Sequence, residues 1–140
     1  MIRVTADTNI LVSGIVFPRG KPFQLLELAR EGKINLTVSH EILDEIAGVL
    51  ARKFNLPPEA IEEAHRRIMT IARTINPSVQ LDVVKEDPPD NRVLECAVSS
   101  GADYVVTGDK DLLRLGRYDS IGIINPSDFL DFLHESSHIR

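Results

Sequence analysis

Residues Asp87 to Leu113 read DPPDNRVLECAVSSGADYVVTGDKDLL and place acidic groups on both sides of a short apolar run. Val93, Leu94, Ala97 and Val98 recur at helical spacing after Asp90, and Gly101 closes the pattern, so this part predicts a helix. Tyr104-Val105-Val106 follows without alternation, which suits a strand covered on both faces, as in a parallel sheet. Asp109 and Asp111 come just past the end of that strand. In open α/β sheets ligands sit in the crevice beyond the carboxyl ends of the strands, so the question is which other acidic residues reach the same place.

Toward the amino terminus, residues 2–6 (IRVTA) predict a first strand, with Asp7-Thr8-Asn9 as turn and cap residues before the apolar run Ile10 to Phe17. Pro18, Gly20 and Pro22 break that run, and a helix fits Phe23 to Arg30 with Leu25, Leu26 and Leu28 inward. Ile34 to Val38 predicts a second strand, and Ser39 is an N-cap for a helix that continues to Phe54. At about 100° per residue, Ile42, Ile46, Val49 and Leu50 form one stripe with Glu45 on its shoulder, while Glu41 and Asp44 turn toward solvent. Pro57-Pro58 interrupts, and Glu59 to Ile75 predicts one helix with Ile61, Ala64, Ile68, Ile71 and Ala72 inward and Arg66, Arg67 and Arg73 on a solvated face. Val79 to Val84 predicts a short edge strand, and Asp87 is read as part of the turn that leads into the helix after Asp90. Beyond Asp111 come a short helical piece, a last strand at Ile121 to Ile124, a helix from Pro126 to about Leu133, and a tail from Glu135 to Arg140 that is expected to fray. Strands separated by helices give a three-layer α/β/α domain with a mainly parallel central sheet, and residues 1–140 are read as a single domain.

The 140 residues, 43% hydrophobic and 26% charged, are ordinary for a globular protein and argue against disorder or fibre. No apolar run approaches the length of about 18 residues that a membrane span needs, and the first residues lack the pattern of a secretory signal, so a cytoplasmic protein without membrane association is expected. Cys96, the lone cysteine, sits among apolar helix positions and reads as a small buried hydrophobe. A net charge of −5 counts against a phosphate-backbone partner unless the acids are concentrated in one pocket, which leaves basic surface elsewhere.

Asp7 ends the first strand, Glu45 lies in the helix after the second, Asp90 opens the helix before the third, and Asp109 with Asp111 follows the third. Taken singly, Asp7, Asp90 and Asp109 are acceptable N-caps, and Glu45 suits an early turn of its helix. Taken together, several carboxylates at one sheet edge repel one another and take up protons unless a cation neutralises them. Hard oxygen ligands without histidine or cysteine suit Mg²⁺ or Mn²⁺ rather than Zn²⁺, and such sites favour phosphoryl chemistry. His40, His65, His134 and His138 have no visible partner and read as surface residues.

Asp7 in ADTNILVSG, Glu45 in SHEILDEI, Asp90 in DPPDNRVLECA and Asp109 in VTGDKDLL resemble, in order and over nearly the whole chain, the four acidic motifs of the PIN domain. The DPPDN and TGDKDLL pair is especially similar to toxins of type II toxin–antitoxin systems, relatives of the VapC-like ribonucleases. The resemblance implies a metal-dependent endoribonuclease in which Asp7, Glu45, Asp90 and Asp109 are catalytic and hold Mg²⁺ or Mn²⁺, with Asp111 as an additional ligand and Asn9 and Thr107 as polar supports. It also implies an RNA substrate, an antitoxin partner, and a homodimer or higher homo-oligomer. Lys110, Arg114 and Arg117, followed by Lys21, Arg52 and Lys53, are the cations to test for backbone contacts. Two other readings stand beside this one. The first is a PIN-like module that binds RNA or protein without cutting; the second is a phosphoacceptor receiver domain, disfavoured because Thr8 and Asn9, not a second acid, follow Asp7.

Overall fold

In the computed structural model, which describes residues 1–135, β1 (Arg3–Ala6), β2 (Asn35–Ser39), β3 (Ala72–Ile75), β4 (Tyr104–Val106), β5 (Arg117–Tyr118) and β6 (Ile121–Ile124) form one sheet in the order β3-β2-β1-β4-β6-β5. Every neighbouring pair is parallel except β5 with β6. The helices are α1 (Thr8–Val16), α2 (Lys21–Arg30), α3 (His40–Phe54), α4 (Pro58–Ile71), α5 (Asp90–Ser100), α6 (Lys110–Leu115) and α7 (Pro126–Glu135).

From β1 the chain steps to β2 and then β3 in one direction, and from β3 it returns across the sheet to β4 and continues to β6. Right-handed crossovers then put α1 to α4 on one face and α5 and α6 on the other. Contacts of α1 with α2 and α3, of α7 with α2, and of α5 with β1 through β4 agree with that layering. The direction of winding reverses between β1 and β4, so the crevice of this sheet opens at the ends of those two strands.

Alternation along the strands assigns the two faces. Val4, Ala6, Leu36 and Val38 are buried, while Thr5 and Thr37 share a buried hydroxyl–hydroxyl bond of 2.8 Å and Thr37 reaches Ser100 of α5 at 3.3 Å. Cys96 lies against that polar row, and burial pushes its thiol up to about 11, so it behaves as a packed side chain. Leu11, Leu25, Ile42, Leu50, Ile68 and Phe129 are fully buried, each worth about 1.5–3 kcal/mol of transfer free energy.

On α3, Ser39 accepts the Ile42 N–H at 3.2 Å as the N-cap, Ile42, Ile46 and Leu50 are buried, Glu45 is half-buried, and Glu41 and Asp44 are exposed. The helix ends on Asn55 in the left-handed region (φ 51°).

Two segments differ from expectation. The helix expected to run to Ile75 stops at Ile71, and Ala72–Ile75 becomes β3, paired in parallel with Leu36–Ser39. Val79 to Val84 is not a strand, because β3 already occupies that edge of the sheet. Side chains of α5 take up its backbone instead: Glu95 accepts the Leu81 N–H at 2.8 Å, and Asn91 accepts those of Val83 and Val84 at 2.8 and 2.9 Å. In addition, β5 was not anticipated, and α2 begins at Lys21 with Pro22 in its first turn. Glu135 closes α7, and the rest of the expected frayed tail, 136–140, lies outside the described residues. No described helix is long and apolar enough to cross a membrane.

Candidate metal and nucleic-acid site

The crevice is built from the ends of β1 and β4. The Asp7 N–H bonds the Val106 carbonyl at 3.1 Å, which fixes Asp7 directly beside the end of β4. One oxygen of its carboxylate accepts the Ile10 N–H at 2.8 Å and caps α1; the other accepts the Thr107 hydroxyl. The Thr107 oxygen in turn accepts the Asp109 N–H at 2.9 Å, so one buried hydroxyl positions both aspartates. Asp109 Oδ1 accepts the N–H groups of Asp111 and Leu112 at 2.8 and 3.3 Å and caps α6. Capping and site roles therefore coincide at Asp7 and Asp109.

Asp90 is different. It is the first residue of α5, preceded by Pro89 as the cap residue, and its carboxylate caps nothing. It is 7% exposed, and its Oδ2 is buried without a hydrogen-bond partner. A buried carboxylate oxygen without a donor is costly, and the orphaned atom fits a cation that supplies the missing contact.

A cavity of about 300 Å³ joins these groups and is lined by Asp7, Thr8, Asn9, Glu45, Val49, Arg52, Asp87, Pro89, Asp90, Val93 and Asp109. Glu45, Val49 and Arg52 stand about one turn apart along α3 and form one wall. The adjoining hollow is lined by Asn9, Gly108, Asp109, Lys110 and Asp111. Burial pushes the Asp90 carboxyl up to about 8, with the neighbouring Asp109 and the charges of Asp87 and Asp7 adding to it. Burial also raises Asp7 to about 6, against the lowering effect of its bonds from Thr107 and Ile10. Asp87 is raised by partial burial and by the charge of Asp109. Asp109 is lowered: its partial burial opposes the shift, and hydrogen bonding with Asp90 and to the Asp111 and Leu112 amides outweighs it. The opposed shifts of Asp90 and Asp109 come from carboxylates crowded into one cleft, where ionising one disfavours ionising the other.

Of the sequence-predicted residues, Asp7, Asn9, Glu45, Asp90 and Asp109 line one cavity, Thr107 is bonded to two of them, and Asp111 lies in the adjoining hollow. Asp87, read as a turn residue, also faces the cavity, and one oxygen each from Asp87, Asp90, Asp109 and Asp111 lies within 4.8 Å of the others. The signal was available in DPPD: a tight turn with the Asp90 N–H on the Asp87 carbonyl at 3.0 Å folds the two carboxylates to one side. Among the cations, Lys110 lines the adjoining hollow, and Arg114 is exposed and paired with Asp111 at 3.3 Å. Arg117 is not brought to the site. The antiparallel β5 carries it back to the amino-terminal ends of the parallel strands, beside Met1, Ile2 and Asp103. Arg52 lines the acidic cavity itself, and Lys21 and Lys53 are exposed. His40, His65 and His134 are exposed, and His138 is outside the described residues.

Comparison with known proteins follows the same lines. Residues 3–111 match the PIN domain family. An uncharacterised protein of Methanocaldococcus jannaschii is 33% identical over 118 residues, covering 81% of this chain and 75% of the relative. Among solved structures, a chain in the crystal structure of VapBC2 from Rickettsia felis, bound to a DNA fragment from its promoter, superposes with a TM-score of 0.63 at 18% identity. That match covers 89% of this chain and 98% of the other, and it shows a shared fold. With its acidic crevice at the β1–β4 switch point and a sequence match spanning most of its length, this chain belongs to the PIN domain family.

Proposed function

We propose that this protein is a metal-dependent endoribonuclease and the toxin component of a toxin–antitoxin pair. The observation that carries the reading is Asp90, a buried carboxylate with an orphaned oxygen, aimed into a cavity shared with Asp7, Glu45, Asp87 and Asp109. Its donors are all carboxylate oxygens, a set that suits Mg²⁺ or Mn²⁺. When bound there, such a cation lowers the pKa of water and offsets charge on an attacked phosphodiester.

The chain's own residues supply the rest. Asp7, Glu45, Asp90 and Asp109 hold the cation, and the Thr107 hydroxyl keeps Asp7 and Asp109 in fixed relation. Arg52, which lines the acidic cavity from α3, and Lys110, which lines the adjoining hollow, are the cations this reading assigns to the phosphate backbone. The fold likeness to a chain of VapBC2 supports an antitoxin partner, and a homodimer and a cytoplasmic location go with that reading.

Incubating structured and single-stranded RNAs with the protein and Mn²⁺ or Mg²⁺ tests the activity. Cleavage should be lost on chelation and in Asp7→Asn, by a factor of a hundred or more. Wild-type protein that cuts no better than Asp7→Asn, over a broad set of RNAs, would leave the non-catalytic binding module as the better account.

A further inference from the structure

Away from the carboxylates, α1 and α3 end side by side. Phe17 caps α1 with its N–H on the Ser13 carbonyl at 2.9 Å, and its ring meets that of Phe54, the last residue of α3, edge to face at 6.0 Å and 71°. Phe17 is nonetheless 54% exposed, and Pro18 after it is exposed as well. The chain around this ring is basic. Residues 8–26 hold Arg19 and Lys21, residues 46–58 hold Arg52 and Lys53, and neither stretch contains an aspartate or glutamate, in a chain with 21 acidic and 16 basic residues. All four cations are exposed, and none takes part in an ion pair among the described residues. Cations in the last turn of a helix suit its dipole, which accounts for Lys53. It does not account for Arg52, whose guanidinium lies back over Gly48, where a Cβ would sit 2.6 Å from Nη1, and lines the acidic cavity.

We propose that Phe17 is a stacking platform for an unpaired base of an RNA strand, with Arg19, Lys21 and Lys53 on the phosphates beside it and Arg52 linking this surface to the crevice. An exposed ring among cations that have no acidic partner offers both contacts such a strand needs, a π-face and counter-charge. Bases in a duplex are already stacked on one another, so the ligand is a single strand. A second copy of this chain is the poorer occupant, because a symmetric contact would bring the same four cations face to face. Phe54 stands about 13 Å along α3 from Glu45, so the stacked base belongs to a nucleotide a few positions from the one in the crevice. The proposal deepens the nuclease reading and rests on it for the choice of RNA as ligand.

Fluorescence anisotropy of a short labelled RNA with the full chain, carrying Asp7→Asn to suppress cleavage, tests it as binding alone. Phe17→Ala should weaken the single strand at least fivefold, the low end of what one stacked base supplies, and Phe17→Tyr should bind like Phe17. Phe17→Leu keeps an apolar side chain and loses the π-face, so it should bind as poorly as Phe17→Ala. Lys53→Ala should lower the slope of log affinity against log salt by about 0.7, and affinity for a duplex of the same sequence should not respond to Phe17. Equal affinity for the single strand in Phe17→Ala and Phe17→Tyr overturns the proposal, and so does a Phe17→Leu protein that binds as well as Phe17→Tyr. Unchanged RNA affinity in a Phe17→Ala protein that sediments with fewer chains per particle overturns it in favour of an interface between copies. Phe17-dependent binding by a chain that, with Asp7 intact, cleaves no RNA would sink the nuclease reading and leave this surface standing. Cleavage and affinity that Phe17→Ala leaves at wild-type levels would do the reverse.

Discussion

At the scale of single residues, Asp90 combines burial, neighbouring negative charge and an oxygen without a donor. Its carboxyl is raised to about 8, first by burial and then by Asp109, whereas an unfolded aspartate titrates near 3.8. An acid raised on folding keeps its proton when the unfolded chain has lost it. Stability is therefore greatest at low pH and falls as the pH rises from about 4 toward 8. Asparagine at this position has nearly the same shape and no charge to bury. Asp90→Asn should therefore raise the stability of metal-free protein by about 1–3 kcal/mol near pH 8 and change little near pH 4.5. Thermal melts in chelator at the two pH values measure this, and a variant less stable than wild type at both would show that the Asp90 carboxylate is satisfied in a way its orphaned oxygen does not suggest. The same variant should lose Mn²⁺ binding. A stabilised protein without function is the expected signature of a site that stores unfavourable charge. The sequence showed Asp90 to be well placed but not why it matters, because as a residue type it reads equally as an N-cap; only its burial and its missing donor separate the two roles.

At the scale of elements, the segment between β3 and α5 was the least legible part of the chain. Ala72–Ile75 continues the spacing of the helix before it, and Val79 to Val84 alternates like a strand, yet the first becomes the edge strand and the second has no regular structure. Local pattern cannot decide between them, because one open sheet edge is available and whichever segment pairs with β2 excludes the other. By contrast β1, β2, β4 and β6 were legible, since runs buried on both faces leave no helical period to compete. Asn91 makes the losing segment ordered all the same. Its side chain accepts from Val83 and Val84 and donates to the carbonyls of Val84 and Pro88 at 2.9 and 3.0 Å. Those bonds tie the backbone leading to Asp87 onto α5, so Asn91 sets where the Asp87 carboxylate points. Asn91→Ala leaves several buried backbone groups without partners and should cost about 2–4 kcal/mol. Amide exchange should rise across residues 82–89 ahead of the sheet. If exchange there stays at wild-type rates, the loop is held by something other than this amide.

At the scale of the whole molecule, a chain of net charge −5 places five of its 21 acidic residues in one cavity, whose lining includes one arginine. The fold supplies the place, because the reversal of winding between β1 and β4 opens the sheet there, and helices α3 and α5 each deliver an acid to the same mouth. Cation binding, protonation and folding are then linked. Binding must displace the proton of Asp90, which leaves at about 8, and near acid pH that of Asp7, which leaves at about 6. Going from pH 8 to pH 6 lowers the ionised fraction of Asp90 by roughly fiftyfold and that of Asp7 by roughly twofold, so apparent Mn²⁺ affinity should fall by about two orders of magnitude. Because a ligand of the native state adds RT ln(1 + [L]/Kd), that loss removes up to about 2.7 kcal/mol of Mn²⁺-dependent stabilisation. For a domain of this size it corresponds to a melting shift smaller by several degrees. Melting curves with and without saturating Mn²⁺ at the two pH values give the comparison directly. A shift of equal size at both would mean that Asp90 and Asp7 keep or lose their protons independently of the ion, and that cation binding occurs away from the crevice.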